Sequence, residues 1–129
     1  MPEKILVVDD DADNRRIIEL TMIKAGYAVV LAVNGREALE AAERELPDLI
    51  LLDLSMPVLS GWEAVKLLKA DERLKGIPVL AFTAHAMAGD ERKVMDAGFD
   101  GYLSKPCAPR RAVEAVAARL SARGTGSRP

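Results

Sequence analysis

A chain of 129 residues, half of them hydrophobic and 29% charged, has room for one domain with a real core and not for two ordinary ones. Its net charge of −2 gives no bulk pull toward nucleic acid or an anionic membrane, and no apolar run approaches the roughly 20 residues that span a bilayer. Cys107 is the only cysteine and His85 the only histidine, so an internal disulfide is excluded and a protein-built Zn²⁺ site is not expected.

The N-terminus enters an apolar run, Ile5–Val8, with no signal-peptide pattern before it, and a reducing cytoplasm is the expected home. A helical pattern comes next over Asp13–Ala25, in which Ile17, Leu20 and Lys24 share a face and Gly26 is placed to stop the helix. The second apolar run is Ala28–Val33. The second helix, Arg36–Arg44, is rich in Glu, Leu and Ala, and Pro47 closes it. A third run, Leu49–Leu52, precedes a helix over Trp62–Ala70 with an apolar stripe at Val65 and Leu68, and Gly76 and Pro78 mark the return to a strand. The fourth run, Val79–Phe82, leads to a helix at Asp90–Ala97, and the fifth is Tyr102–Leu103. Pro109 then opens a last helix, Arg110–Ala122, with Val113, Val116 and Leu120 on one side. Residues 1–122 form the expected domain, and 123–129, without apolar content, are expected to fray. No repeat, interdomain linker or output domain is visible in the sequence.

Runs such as ILVV and LILL do not alternate with polar residues, so both faces of these strands are expected to be buried. Five strand–helix units then predict an α/β fold. It is a doubly wound, flavodoxin-like five-stranded parallel sheet, order 2-1-3-4-5, with helices on both faces.

The chemistry lies at the end of each apolar run. Asp9 and Asp10 come directly after the first strand, Asp53 after the third, Thr83 after the fourth, and Ser104 and Lys105 after the fifth. A parallel sheet gathers all carboxyl ends along one edge, and ligands bind there where the strand order reverses. In the predicted order the first and third strands meet at the reversal, which sets Asp9 and Asp10 beside Asp53. Three carboxylates in one crevice repel one another unless a cation joins them. Mg²⁺ suits all-oxygen donors, and together with the Lys105 ammonium it balances three ionised aspartates. Such a site is prepared for phosphoryl transfer, with Asp53, central in the sheet, as the nucleophile.

The order and spacing of ILVVDDD, LILLDLSMPVLSGWE, VLAFTAHA and GYLSKP resemble the receiver domains of two-component response regulators, from Lys4 to about Leu120. The stretch FTAHAMAGDERKVMDAGFDGYLSKP is similar to that of stand-alone regulators of the cell-cycle and phytochrome-associated kinds.

The resemblance implies Asp53 as phosphoacceptor, Asp10 as a direct Mg²⁺ ligand, Asp9 as a helper through water, and the Ser55 carbonyl as a further ligand, with Mn²⁺ as an acceptable substitute. It implies that Thr83 and Lys105 contact phosphoryl oxygens, and that Tyr102 changes rotamer with Thr83. That movement would remodel the face made by the fourth helix, fifth strand and fifth helix, through which a homodimer is also conceivable. The Lys105–Pro106 peptide is expected to be cis. Ser55 and His85, each two residues beyond a key position, are expected to tune dephosphorylation.

The implied partner is a sensor histidine kinase or a histidine phosphotransfer protein, with no nucleic acid and no membrane. The implied chemistry is limited to the protein's own phosphorylation and dephosphorylation. Asp11 and Asp13 read as capping residues of the first helix, Trp62 as packing, and Cys107 as a small buried apolar residue.

Two enzyme classes fit less well. A dehalogenase-type phosphatase places a second Asp where Ser55 stands, and a dinucleotide-binding fold needs glycines where DDDADN stands. A receiver-like scaffold that works without phosphorylation is the remaining alternative.

Overall fold

The computed structural model describes residues 3–54, 59–83, 90–104 and 108–127, with side chains over 3–54, 59–82, 92–104 and 108–121. The elements run β1 (Lys4–Val8), α1 (Ala12–Lys24), β2 (Ala28–Ala32), α2 (Gly35–Glu45), β3 (Leu49–Asp53), α3 (Gly61–Ala70), β4 (Val79–Thr83), α4 (Asp90–Asp96), β5 (Gly101–Ser104) and α5 (Pro109–Ser127). The five strands are all parallel, in the order β2-β1-β3-β4-β5. The doubly wound sheet expected from the sequence is therefore the one observed.

The continuous apolar runs are explained by a sheet that is covered twice. Along β1, Ile5 and Val7 pack with Ile18, Met22, Ala112 and Val116 from α1 and α5. Leu6 and Val8 pack on the other face with Ala38, Ala64, Val65 and Val94 from α2, α3 and α4. Alternate residues thus enter different cores, so neither set can be polar. All five residues of β3 are buried, Asp53 among them.

Caps fix where the helices begin. Asp11 accepts from the Asp13 and Asn14 amides, Asn34 caps α2 through the Glu37 amide, and Ser60 and Glu63 form a capping box on α3. At the end of α1, Gly26 has φ +102°, and the Gly26 and Tyr27 amides return to the Ile23 and Met22 carbonyls at 3.0 Å each. That Schellman turn needs a residue tolerant of positive φ, as expected of Gly26.

Two helices show more than the sequence expectation states. Ile17 and Leu20 share a face with Lys24, as expected, and it is an outer one: they are 52% and 51% exposed, while Ile18 and Met22 face the core. They line a groove of roughly 540 Å³ with Pro109, Arg110 and Val113 of α5. The α5 backbone also stays helical past Ala122 to Ser127. Extension of an existing helix adds one hydrogen bond per residue fixed, and no proline intervenes before Pro129.

Candidate functional site

β1 and β3 pair as far as Val8 opposite Leu52, so the next residues in register are Asp9 and Asp53. Both are buried, each 3% exposed, whereas Asp10, one residue further into the β1–α1 turn, is exposed. Carboxylate oxygens from Asp9, Asp10 and Asp53 lie within 4.8 Å of one another. The cluster thus comes from two neighbouring strand ends that the sheet alone brings together.

A buried carboxylate must be held by donors or a cation. Asp9 Oδ1 accepts from the Asp11 amide at 2.9 Å, and Asp9 Oδ2 accepts from Asn14 Nδ2. The Asp9 backbone is held as well: its N–H donates to the Ala32 carbonyl at 3.2 Å, and its carbonyl accepts from Arg15 Nη1 at 2.8 Å. Among the described residues, no buried side-chain nitrogen or oxygen lacks a partner.

Beneath Asp53 the packing is close. The Gly61 amide donates to the Leu54 carbonyl at 3.2 Å, and a Cβ at Gly61 would stand 2.3 Å from the Asp53 carbonyl oxygen. Only glycine lets α3 begin here without moving the strand that carries Asp53.

The donor set fits a small hard cation. All three side chains offer oxygen only, the donor type that Mg²⁺ prefers, from atoms within 4.8 Å of one another. No other cluster of this kind occurs among the described residues.

The backbone of Thr83 ends β4 opposite Ser104, which ends β5, so both lie on the same edge as the aspartates. Lys105, Pro106 and the peptide between them, Ser55, His85, Cys107 and the Thr83 side chain lie outside the described residues. Tyr102 is half-buried against the core on the α4 side and, with Leu80, Ala115 and Arg119, lines a groove of roughly 270 Å³. Trp62 packs edge-on to Phe99 with ring centroids 6.0 Å apart, the packing role expected of it. Asp11 is the α1 cap, also as expected, and Asp13 sits in the first turn.

Asn14, Arg15 and Gly61 carry no signal of a role here in the sequence. Asn14 and Arg15 return to Asp9 only because α1 turns back over the strand end, and spacing alone does not reveal that. Among the described residues no helix is long and apolar enough to cross a membrane.

The profile of the response regulator receiver domain matches residues 5–117. The chain is 39% identical over 120 residues to the polar-differentiation response regulator DivK of Brucella anthropi, covering 93% of this chain and 98% of that one. Among solved structures it is similar to the chemotaxis response regulator CheY4 of Vibrio cholerae, with a TM-score of 0.87, 32% identity, and coverage of 93% of this chain and 99% of that one. It is also similar to the receiver domain of the sensor histidine kinase PA1611 of Pseudomonas aeruginosa, which holds a magnesium ion in its active-site cleft. The TM-score there is 0.87 with 33% identity, covering 94% of this chain and 99% of that one.

Proposed function

The chain belongs to the response regulator receiver family, and from that premise we propose that it is a phosphorylation switch charged at Asp53 by a phosphohistidine donor. The observation that carries this reading is the convergence of Asp9, Asp10 and Asp53 on one edge of the sheet within 4.8 Å. In the proposed step an Asp53 carboxylate oxygen attacks phosphorus in line. The P–O bond forms as the P–N bond to the donor imidazole breaks, and the departing nitrogen takes up a proton. A bound Mg²⁺, or Mn²⁺ in its place, would neutralise charge on the group in transit.

Asp10 and the Ser55 carbonyl are proposed as its ligands with Asp53, and Asp9 as a helper. Lys105 and Thr83 are proposed to donate to the phosphoryl oxygens. Tyr102, half-buried beside a groove, is proposed to respond, and the face formed by α4, β5 and α5 is proposed to carry the signal to a partner, or to a second copy of the chain. The donor is proposed to be a sensor histidine kinase or a histidine phosphotransfer protein in the cytoplasm, acting on a receiver unit of residues 1–122.

Intact mass after incubation with a small-molecule phosphodonor tests the reading. The expected result is a Mg²⁺-dependent gain of one phosphoryl group in the wild type and none in Asp53→Asn. No gain from that donor or from any phosphohistidine protein would leave the receiver-like scaffold as the reading. For the tuning positions, His85→Ala is expected to change the rate at which the phosphoryl group is lost, and an unchanged rate removes His85 from the site.

A further inference from the structure

Asn14 stands in the first turn of α1, half-buried, with its side-chain amide on Asp9 Oδ2. A carboxylate oxygen can only accept, so the amide nitrogen and not the amide oxygen must face it, and the orientation is fixed by chemistry. The other Asp9 oxygen is taken by the Asp11 amide at 2.9 Å, and Arg15 Nη1 holds the Asp9 carbonyl at 2.8 Å. Asp9 is thereby gripped at three atoms by residues of the adjoining turn and helix.

We propose that Asn14 is a positioning residue for the metal site: its neutral amide holds the buried Asp9 carboxylate in the rotamer that faces the cation, without discharging it. The inference rests on the reading of the acidic cluster as a Mg²⁺ site. A lysine or arginine in the same place would also satisfy Asp9, but its charge would oppose the incoming cation at close range. An amide satisfies one lone pair of the oxygen and leaves the negative charge in the site. The division of labour with Arg15 obeys the same logic, because the guanidinium is spent on the backbone carbonyl of Asp9. Outer-shell groups that orient a metal site commonly change its affinity by about 10- to 100-fold when removed.

The test is the Mg²⁺ dissociation constant, read by calorimetry on the intact chain, for wild type, Asn14→Leu and Asn14→Ser. Leucine keeps the branched outline with more bulk, drops the donor and favours helix, whereas serine keeps a donor on a shorter arm. The thermal unfolding midpoint in EDTA is measured alongside. The expected result is that Asn14→Leu weakens Mg²⁺ binding by about 10-fold or more, while it still unfolds cooperatively in EDTA, at a lower midpoint because a buried Asp9 oxygen has lost its donor. Asn14→Ser is expected to retain more affinity than Asn14→Leu. Binding by Asn14→Leu within about twofold of wild type, on the order of ordinary scatter, overturns the proposal. So does a loss of affinity that is matched in Ile18→Val, a core variant one turn along α1 from Asn14, because the effect would then be general loosening. Absence of Mg²⁺ binding by the wild type overturns the reading of the cluster itself.

Discussion

At the scale of single residues, Gly61 and Gly76 make a controlled comparison. A Cβ at Gly61 would meet the Asp53 carbonyl oxygen at 2.3 Å and the Leu54 Cα at 2.8 Å, both backbone atoms that can move only with β3. A Cβ at Gly76 would meet nothing within 4 Å. Gly61→Ala is therefore expected to cost about 1–3 kcal/mol of stability and to lower phosphoryl uptake by displacing Asp53. Gly76→Ala is expected to be neutral or to stabilise by up to about 1 kcal/mol through the unfolded chain. Urea denaturation of both variants checks the pair, and equal stabilities would show that α3 can retreat from the strand. The same residues show what a sequence discloses. Asp9, Asp10 and Asp53 are legible because each lies at the end of an apolar run, and a parallel sheet makes run ends converge. Gly61 and Asn14 are not, because their importance lies in a contact between elements whose distance no spacing encodes.

At the scale of elements, a polar tie at the amino ends of β4 and β5 joins four segments through Asp100. Asp100 Oδ2 accepts from the Val79 amide at 2.8 Å and from Lys69 Nζ at 3.0 Å, its N–H donates to the Val79 carbonyl at 2.8 Å, and its carbonyl accepts from Arg119 Nη2 at 2.5 Å. Val79 is fully buried, so loss of the carboxylate leaves its amide without that acceptor. Asp100→Ala is expected to cost about 1–3 kcal/mol. Lys69→Met, which removes a partly exposed ion pair, is expected to cost less than about 1 kcal/mol. Denaturation midpoints in the reverse order would show that the Lys69 ammonium holds the tie.

Helix ends differ in the same way in how far they can be read in advance. Pro47 is a clear stop signal for α2, since the residue before proline avoids the helical region. The helix duly ends at Glu45, and Leu46 takes φ 45° and ψ 61°, a left-handed conformation that suits glycine. Leu46→Gly is expected to raise stability by up to about 1 kcal/mol, seen as a higher denaturation midpoint at unchanged slope. The face of α1 is less legible, because Ile17, Ile18, Leu20, Met22 and Ile23 crowd the helix with apolar residues on several sides. Only packing against the sheet selects Ile18 and Met22 for the core.

At the scale of the whole molecule, the sheet separates two cores, and that layout is dictated by the apolar runs. The response to acid is not, because it depends on charge pairs formed across elements. Lys4, at the start of β1, ties that strand to the α2–β3 connection. Its amide donates to Asp48 Oδ2 at 2.7 Å, its carbonyl accepts from the Asp48 amide at 2.8 Å, and its Nζ donates to Glu45 Oε1 at 2.9 Å. The hydrogen bond from Lys4, with a second from Arg44, holds the Glu45 carboxyl below the ordinary glutamate range. A carboxyl depressed in the folded state adds stability above its unfolded pKa, and that increment is lost as pH falls through the folded value. Glu45→Gln is accordingly expected to lower the thermal midpoint slightly at neutral pH. The gap to wild type should narrow as pH falls through and below the glutamate range, and should narrow at high salt as well, because the pair is open to solvent. A gap that stays constant from neutral to acidic pH would mean that the substituted side chain packs worse for reasons of shape, and that the ion pair contributes nothing to holding β1 against the β3 connection.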